Sequence, residues 1–267
     1  MNSTLTVRKI KSHPPSLVSR VLSVWFRHYR VYTQNLISNG FPPFLEPLFF
    51  LAGIGLGLGR YVGLIDGTPY VIFLASGIMA PPAMFTATFE CTFGTFIRLV
   101  FDKNYDGMIS SSITVRDLFA GEMLFAGTKG LVFSASVLCV IYPFKLISSP
   151  LGLLAPIGGF FTGLMFAALG LFITSFVKNI NHFNFYFTGV VTPMFFFSGL
   201  VFPLDSLPPY LQHTAEILPL THSIRFFRAF CFNHFDSQFA FSCFYIIIFT
   251  AVVGILAIRR LEKRIIS

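Results

Sequence analysis

The run Phe-Ala-Phe-Ser-Cys-Phe-Tyr-Ile-Ile-Ile-Phe-Thr-Ala-Val-Val-Gly-Ile-Leu-Ala-Ile, Phe239 to Ile258, contains no charged residue and is followed by Arg259, Arg260, Lys263 and Arg264. At 1.5 Å per residue, about 20 residues of helix cross the roughly 30 Å of bilayer hydrocarbon. A basic cluster directly after such a run is the pattern of a membrane helix that ends at the cytoplasmic face. Five further apolar segments lie upstream: Phe44 to Gly63, Tyr70 to Ile97, Leu118 to Ile141, Leu151 to Val177 and Phe185 to Phe202. The expected fold is an all-α integral membrane protein with six transmembrane helices. Its parts are a cytoplasmic N-terminus over residues 1–43, a six-helix domain over 44–258 and a basic cytoplasmic tail over 259–267.

Composition agrees. Hydrophobic residues make up 54% of the 267 positions and charged residues only 11%, against roughly 25% charged in soluble domains. The 36 phenylalanines would drive a soluble chain to aggregate, whereas lipid accepts them. The net charge of +8 needs no nucleic-acid partner, because membrane proteins concentrate Lys and Arg on cytoplasmic loops. The partners it implies are membrane lipids. Cys91, Cys139, Cys231 and Cys243 have neither metal-ligand spacing nor a paired framework, so no metal is expected. Residues 1–30 lack the apolar core of a cleavable signal.

Charge fixes the expected orientation. Arg8, Lys9, Lys11, Arg20, Arg27 and Arg30 precede the first segment, and Arg259, Arg260, Lys263 and Arg264 follow the sixth. Arg98, Lys103, Arg116 and Lys178 fall in the even loops. The other side has only Arg60, Lys145, Arg225 and Arg228, so both termini are expected in the cytoplasm of a bacterial inner membrane. Within residues 17–36, Val21, Trp25, Tyr29, Tyr32 and Leu36 share one helical arc of about 80°, with Arg20, Arg27, Arg30 and Gln34 opposite. That predicts an amphipathic interfacial helix. From Pro203 to Gln238 an apolar connection is broken by Pro203, Pro208-Pro209 and Pro219. It is expected to form an outer re-entrant hairpin between helices five and six.

No phosphate-binding loop, nucleophile elbow or His-Glu-x-x-His motif is present, so no catalytic residues and no cofactor are assigned to this chain. Four ionisable residues, Glu46, Glu90, Glu122 and Lys129, lie in or at the edge of apolar segments, where charge is costly and usually faces a bundle interior. Glu46 before Pro47 suits a helix start. Glu90 lies roughly 12 Å of helix inward from Arg98, and Lys129 roughly 18 Å from Asp117, on the two arms of one hairpin. They either pair across it or meet water separately; if they pair, exchanging the two charges should rescue either single reversal. Gly53, Gly55, Gly57 and Gly59 give two overlapping Gly-x-x-x-Gly spacings, usable for packing within the chain or for a dimer. Pro81-Pro82 predicts a kink in the second segment, either beside a conduit or merely structural.

Several stretches together resemble one family. They are Glu46-Pro47 with Gly-Ile-Gly-Leu-Gly-Leu-Gly from Gly53; Phe-Leu-Ala-Ser-Gly-Ile-Met-Ala from Phe73; Ala87-Thr88-Phe89-Glu90; Arg116-Asp117; and Gly121-Glu122-Met123. Two longer ones follow: Thr-Pro-Met-Phe-Phe-Phe-Ser-Gly-Leu-Val-Phe-Pro-Leu-Asp-Ser-Leu-Pro from Thr192 and Leu-Pro-Leu-Thr-His-Ser-Ile from Leu218. Over residues 17–260 the chain is similar to permease subunits of type-2 ABC exporters, nodulation-factor (lipo-oligosaccharide) exporter permeases above all. The Arg98-to-Lys103 stretch, Pro81-Pro82 and the Phe-rich core depart from that pattern. The resemblance implies a dimer of two such chains and a separate cytoplasmic ABC ATPase that carries ATP and magnesium. It implies a coupling element around Tyr105, Asp106, Arg116, Asp117 and Glu122, and a lipid or glycolipid cargo. It implies a substrate path and outer gate at Phe195, Phe196, Phe197, Pro203, Pro219 and His222, with segments one and five lining the dimer interface. The rival readings are a proton-coupled secondary transporter and a polytopic lipid-modifying enzyme.

Overall fold

A computed structural model describes residues 15–35, 42–65, 67–109, 113–147 and 149–266. Arg8, Lys9, Lys11 and Leu36 fall outside these residues, as does the side chain of Asp106. Helix α1, Leu17–Thr33, opens on Ser16, whose hydroxyl accepts from the Ser19 amide at 3.3 Å. Five helices are long and apolar enough to cross a membrane: α2, Phe44–Val62; α3, Tyr70–Phe101; α5, Val115–Phe144; α6, Pro150–Thr174; and α10, Ser237–Ile265. A short helix, α4, Asn104–Ile109, lies between α3 and α5. A two-residue β-hairpin, Leu64–Ile65 with Thr68–Pro69, joins α2 to α3.

The fifth apolar segment departs from expectation. Its helix, α7, covers residues 183–197, fifteen residues, or roughly 22 Å, short of a full crossing. It stops at Ser198 and Gly199, where φ is +81° and an added Cβ would lie 2.9 Å from Leu204. Only glycine takes that backbone without strain. The Pro203–Gln238 connection is mostly ordered helix: α8, Pro209–Ile217, and the largely buried α9, Pro219–Phe232. Leu218, extended ahead of Pro219, separates them. The basic tail is also helix, because α10 continues through Arg259, Arg260 and Lys263.

Pro81-Pro82 breaks α3 at Ile78 and Met79, where the helix restarts with both prolines in its first turn. The Met79 carbonyl accepts from Ser134 Oγ of α5 at 2.8 Å, which replaces bonding lost at the break. Two π-turns follow, Glu90–Gly94 and Ile97–Phe101. The closest interhelix approach is α5 on α6. A Cβ on Gly130 would lie 2.4 Å from the Gly159 carbonyl, one on Gly159 2.6 Å from the Gly130 carbonyl, and one on Gly163 2.8 Å from the Ala126 carbonyl. Small residues four apart on both helices let the backbones touch, which is how apolar helices gain contact in lipid.

The glycines of α2 divide. Gly55 and Gly59 face Val71 of α3, at 3.8 and 3.2 Å from an added Cβ, whereas Gly53 and Gly57 meet nothing within 4 Å. One Gly-x-x-x-Gly spacing is therefore used inside the chain and the other is open. Several basic segments converge at one end of the bundle: Arg20 of α1 on Asp117 at 2.9 Å, Arg116 on Glu262 of α10 at 3.2 Å, and Arg264 on the Thr174 carbonyl at 2.5 Å.

Candidate functional site

The charged residues of α3 and α5 meet beneath α1 in one buried network. Lys129 Nζ lies 2.9 Å from Glu90 Oε2, and Arg98 Nη1 lies 2.7 Å from Glu90 Oε1. The same arginine extends the chain, its Nε donating to Glu122 Oε1 at 3.1 Å. Thr95 Oγ1 donates to Glu122 Oε2 at 2.9 Å, and the Tyr105 hydroxyl donates to Glu122 Oε1. His28 of α1 closes the cluster, with Nε2 3.5 Å from the same carboxylate. Two acids face two bases, so the charge balances in a setting where a lone charge would be costly.

The local backbone makes this possible. The π-turn at Glu90 widens α3, and the Glu90 carbonyl accepts from the Thr95 amide and from Arg98 Nη2 at 3.2 Å. Such bulges recur where a helix must re-aim side chains. Gly121 lets α1 approach, since a Cβ there would lie 2.6 Å from Val24 and 2.9 Å from the Val21 carbonyl. Trp25 Nε1 donates to Thr128 Oγ1 at 3.0 Å, and the His28 ring stacks on Phe125 at 5.4 Å. Lys129 is further held over Tyr32, 5.0 Å from the ring centre.

Three of the residues expected in the coupling element lie inside the protein. Glu122, Tyr105 and Asp117 are buried, and Asp117 forms the capping box of α5 with Thr114. Arg116 does lie at the surface, with 70% of its side chain exposed. In α1 the helical wheel put Arg20 and Arg27 towards water. Instead they reach Asp117 and Met108, because long side chains carry their charge around the helix to a polar partner. Glu46 is exposed and lies past the first turn of its helix, which begins at Pro42. His222 is fully buried, between Ser242 Oγ at 3.2 Å and the Glu216 carbonyl at 2.9 Å, and stacks on Tyr245. It is a core residue. Pro203 precedes a 3-10 turn and Pro219 occupies the first turn of α9.

The Glu90–Lys129 pair stands in the walls of two cavities. One, about 450 Å³, lies under α1 and is lined by Arg27, Tyr32 and Arg98. The other, about 530 Å³, is lined by Glu46, Phe85, Phe89 and Phe133. An aromatic face continues from the second: Phe195 contacts Phe50 and Phe85 at 6.0 and 5.9 Å, and Phe89 stacks on Phe187 at 4.4 Å. Phe196 and Phe197 are exposed beside it. Among the described residues no group of His, Cys, Asp and Glu is arranged to hold a metal ion.

Burial holds the His28 imidazole below its ordinary value of 6.5, and Arg98 and Arg27 add to the effect against the pull of Glu122 and Glu90. The unfolded chain therefore binds this proton more readily than the folded one. The stability from a neutral His28 is complete above about pH 6.5 and is lost as pH falls through and below it. The thermal midpoint of the purified protein should drop on going from about pH 7.5 to about pH 5.5, and drop less in His28→Phe, which keeps the ring stack. Equal acid sensitivity of the two proteins would remove His28 from the account. Burial, followed by the Glu122 carboxylate, pushes the Tyr105 phenol well above its usual range, so it stays a donor to Glu122.

Comparison with known proteins now adds to this geometry. The family model described as "ABC-2 type transporter" matches residues 19–232. Nodulation protein J of Sinorhizobium fredii is 33% identical over 246 residues, covering 92% of this chain and 94% of that protein. Nodulation protein J of Rhizobium leguminosarum bv. viciae is 35% identical over 219 residues, 78% of this chain and 80% of its own length. The inner membrane transport permease YadH of Escherichia coli is 22% identical over 213 residues, 77% and 80% of the two chains.

Proposed function

The chain belongs to the ABC-2 type transporter family, whose members are transport subunits and not enzymes, and from that premise we propose the cargo, the partners and the topology. The cargo is a lipid-linked amphiphile of the lipo-oligosaccharide class, exported across a bacterial inner membrane. Two observations support it. Relatives named nodulation protein J match 68% to 92% of the chain. The Glu90–Lys129 pair also offers a polar foothold between a charged cavity and a phenylalanine-lined one, which suits a molecule with a polar head and an apolar chain.

The energy source is a separate ATPase with its own ATP and magnesium, seated against the basic end of the bundle near residues 102–122. Its movement reaches the membrane through the network, because Tyr105 of α4, His28 of α1 and Arg98 of α3 all meet at Glu122. A second copy of the chain covers α2, where Gly53 and Gly57 are open and Phe49 and Leu56 are exposed. In this topology α7 and the turn after it act as the fifth crossing. Helices α8 and α9 dip back from the outer face, and both termini are cytoplasmic.

The test is to look for an ABC ATPase gene beside this one and to co-express the two chains. The pair should co-purify, and ATP turnover in nanodiscs should rise severalfold with a lipo-oligosaccharide and stay flat with phosphatidylcholine. Transport that proceeds on a proton gradient without the ATPase would sink the reading.

A further inference from the structure

At the end of the bundle away from α1, a cavity of about 710 Å³ opens between α8, α9, the β-hairpin and the start of α10. Its charged lining holds two acids and two bases, Asp205, Glu216, Arg225 and Arg228, of which only two pair among the described residues. Arg225 grips both oxygens of Glu216, with Nη1 on Oε2 at 2.6 Å. Asp205 is exposed on a 3-10 turn. Just beside the cavity, Asp236 accepts from the Phe239 amide at 2.9 Å and faces His234 at 3.9 Å. Arg228 is different.

Arg228 has no carboxylate within 4.0 Å among the described residues. Its guanidinium carbon lies over Phe73, 3.9 Å from the ring centre, and Nη2 donates to the Gly199 carbonyl at 2.8 Å. Its Nε is buried with no hydrogen-bond partner among the described residues. The same side chain lines both this cavity and a smaller one of about 150 Å³ against it. A guanidinium keeps its proton at neutral pH, and Asp205, on the same cavity wall, lies beyond 4.0 Å, so the charge has no carboxylate contact partner among the described residues. The Gly199 and Leu200 carbonyls, 2.8 and 3.5 Å from Nη2, and the ring face compensate it partly; an oxyanion in the cavity would complete the compensation.

We propose that Arg228 forms the floor of an anion-binding subsite that receives the phosphate, sulfate or carboxylate headgroup of an amphiphile, with the exposed Gln238 as a further donor. Phe73, Ile224 and Phe232 on the same wall accept the first methylenes of its apolar part. The subsite deepens the reading of an amphipathic cargo and rests on it for the ligand's nature.

The experiment uses the full chain in a neutral maltoside detergent, titrated calorimetrically with water-soluble dihexanoyl phosphatidic acid, dihexanoyl phosphatidylcholine and inorganic phosphate. Phosphatidic acid should bind at least about tenfold more tightly than phosphatidylcholine, the worth of one charge-assisted hydrogen bond. Arg228→Gln should erase that preference. Because Arg228 also holds the Gly199 carbonyl, Gln238→Glu is the second variant: residue 238 is exposed, so the new carboxylate repels an anion without disturbing packing. Loss of preference in Gln238→Glu alone supports the subsite even where Arg228→Gln fails to fold. No preference in the parent protein, or an unchanged preference in Gln238→Glu, overturns it. Inorganic phosphate binding as tightly as phosphatidic acid overturns the amphiphile. No ATPase is present here, so a failed cargo assay with intact headgroup preference would point to the function and not to the subsite.

Discussion

Replacing Gly159 with valine is expected to deprive the protein of its folded state in detergent. The glycine lies where α6 crosses α5, and a β-carbon there would fall 2.3 Å from Ser134 Oγ and 2.6 Å from the Gly130 carbonyl. Ser134 cannot swing away freely, because its hydroxyl bonds the Met79 carbonyl at 2.8 Å, beside the break in α3. Overpacking a tight core commonly costs about 1–3 kcal/mol, and the cost goes higher when the obstacle is backbone and not a side-chain tip. Here three helices must move together, so we expect about 3 kcal/mol or more. Gly53→Val is the matched control. It makes the same chemical change in another apolar helix, where nothing lies within 4 Å, and should cost under about 1 kcal/mol in a single chain. Thermal melting by tryptophan-independent dye binding, with gel filtration, checks both. Equal melting of the two variants would refute the close crossing.

The contrast between those glycines marks what a sequence can express. Alternating glycines at 53–59 are conspicuous because the pattern is contiguous, yet half of it faces open space. Gly130, Gly159 and Gly163 do the closest packing, and their pattern is split over two segments whose pairing is not written in either. Apolar length located α2, α3, α5, α6 and α10, since bilayer thickness sets a length that composition alone can meet. It overran at α7, where Phe-Phe-Phe-Ser-Gly-Leu-Val-Phe is apolar throughout but the chain turns at a left-handed Gly199. A hydropathy sum cannot see a dihedral angle.

The candidate site divides the same way. Helical rise alone brings Glu90 and Lys129 to one depth, and in the structure they are 2.9 Å apart. Glu122 is legible as a membrane-edge acid and Tyr105 only as part of a coupling element implied by resemblance; that the two meet in one buried network depends on where α1 lies. One signal was available: Gly121 beside Glu122 on an apolar helix leaves room for a neighbour next to an acid that needs one. The structure also changes how the pair must be tested. Exchanging Glu90 and Lys129 puts an ammonium against Arg98, which is 2.7 Å from Glu90, so the exchange is not expected to rescue either reversal.

Glu122→Gln is the sharper probe and should have the second large effect. The substitution keeps shape and removes charge. Arg98, Tyr105 and Thr95 all donate to this carboxylate, which is fully buried. An amide offers one acceptor oxygen in place of two and turns two new N–H donors on the same group. At least one former donor then stays buried and unpaired, and Arg98 keeps Glu90, which it shares with Lys129, as its one carboxylate partner among the described residues, beside the Tyr105 hydroxyl. Breaking one side of a buried ion pair costs about 3–5 kcal/mol. By comparison, Arg116→Ala removes an exposed partner of Glu262 and should cost at most about 1 kcal/mol. The thermal midpoint should therefore fall steeply for the first variant and barely for the second. A further consequence follows if the network carries motion from the ATPase. At temperatures where the Glu122→Gln protein remains folded, the ATPase should still co-purify, because no surface contact has changed. Its ATP turnover should lose the response to cargo, because α4 is no longer tied to α1 and α3 through a common carboxylate. A folded variant that keeps full cargo stimulation would leave Glu122 a stabilising residue and nothing more.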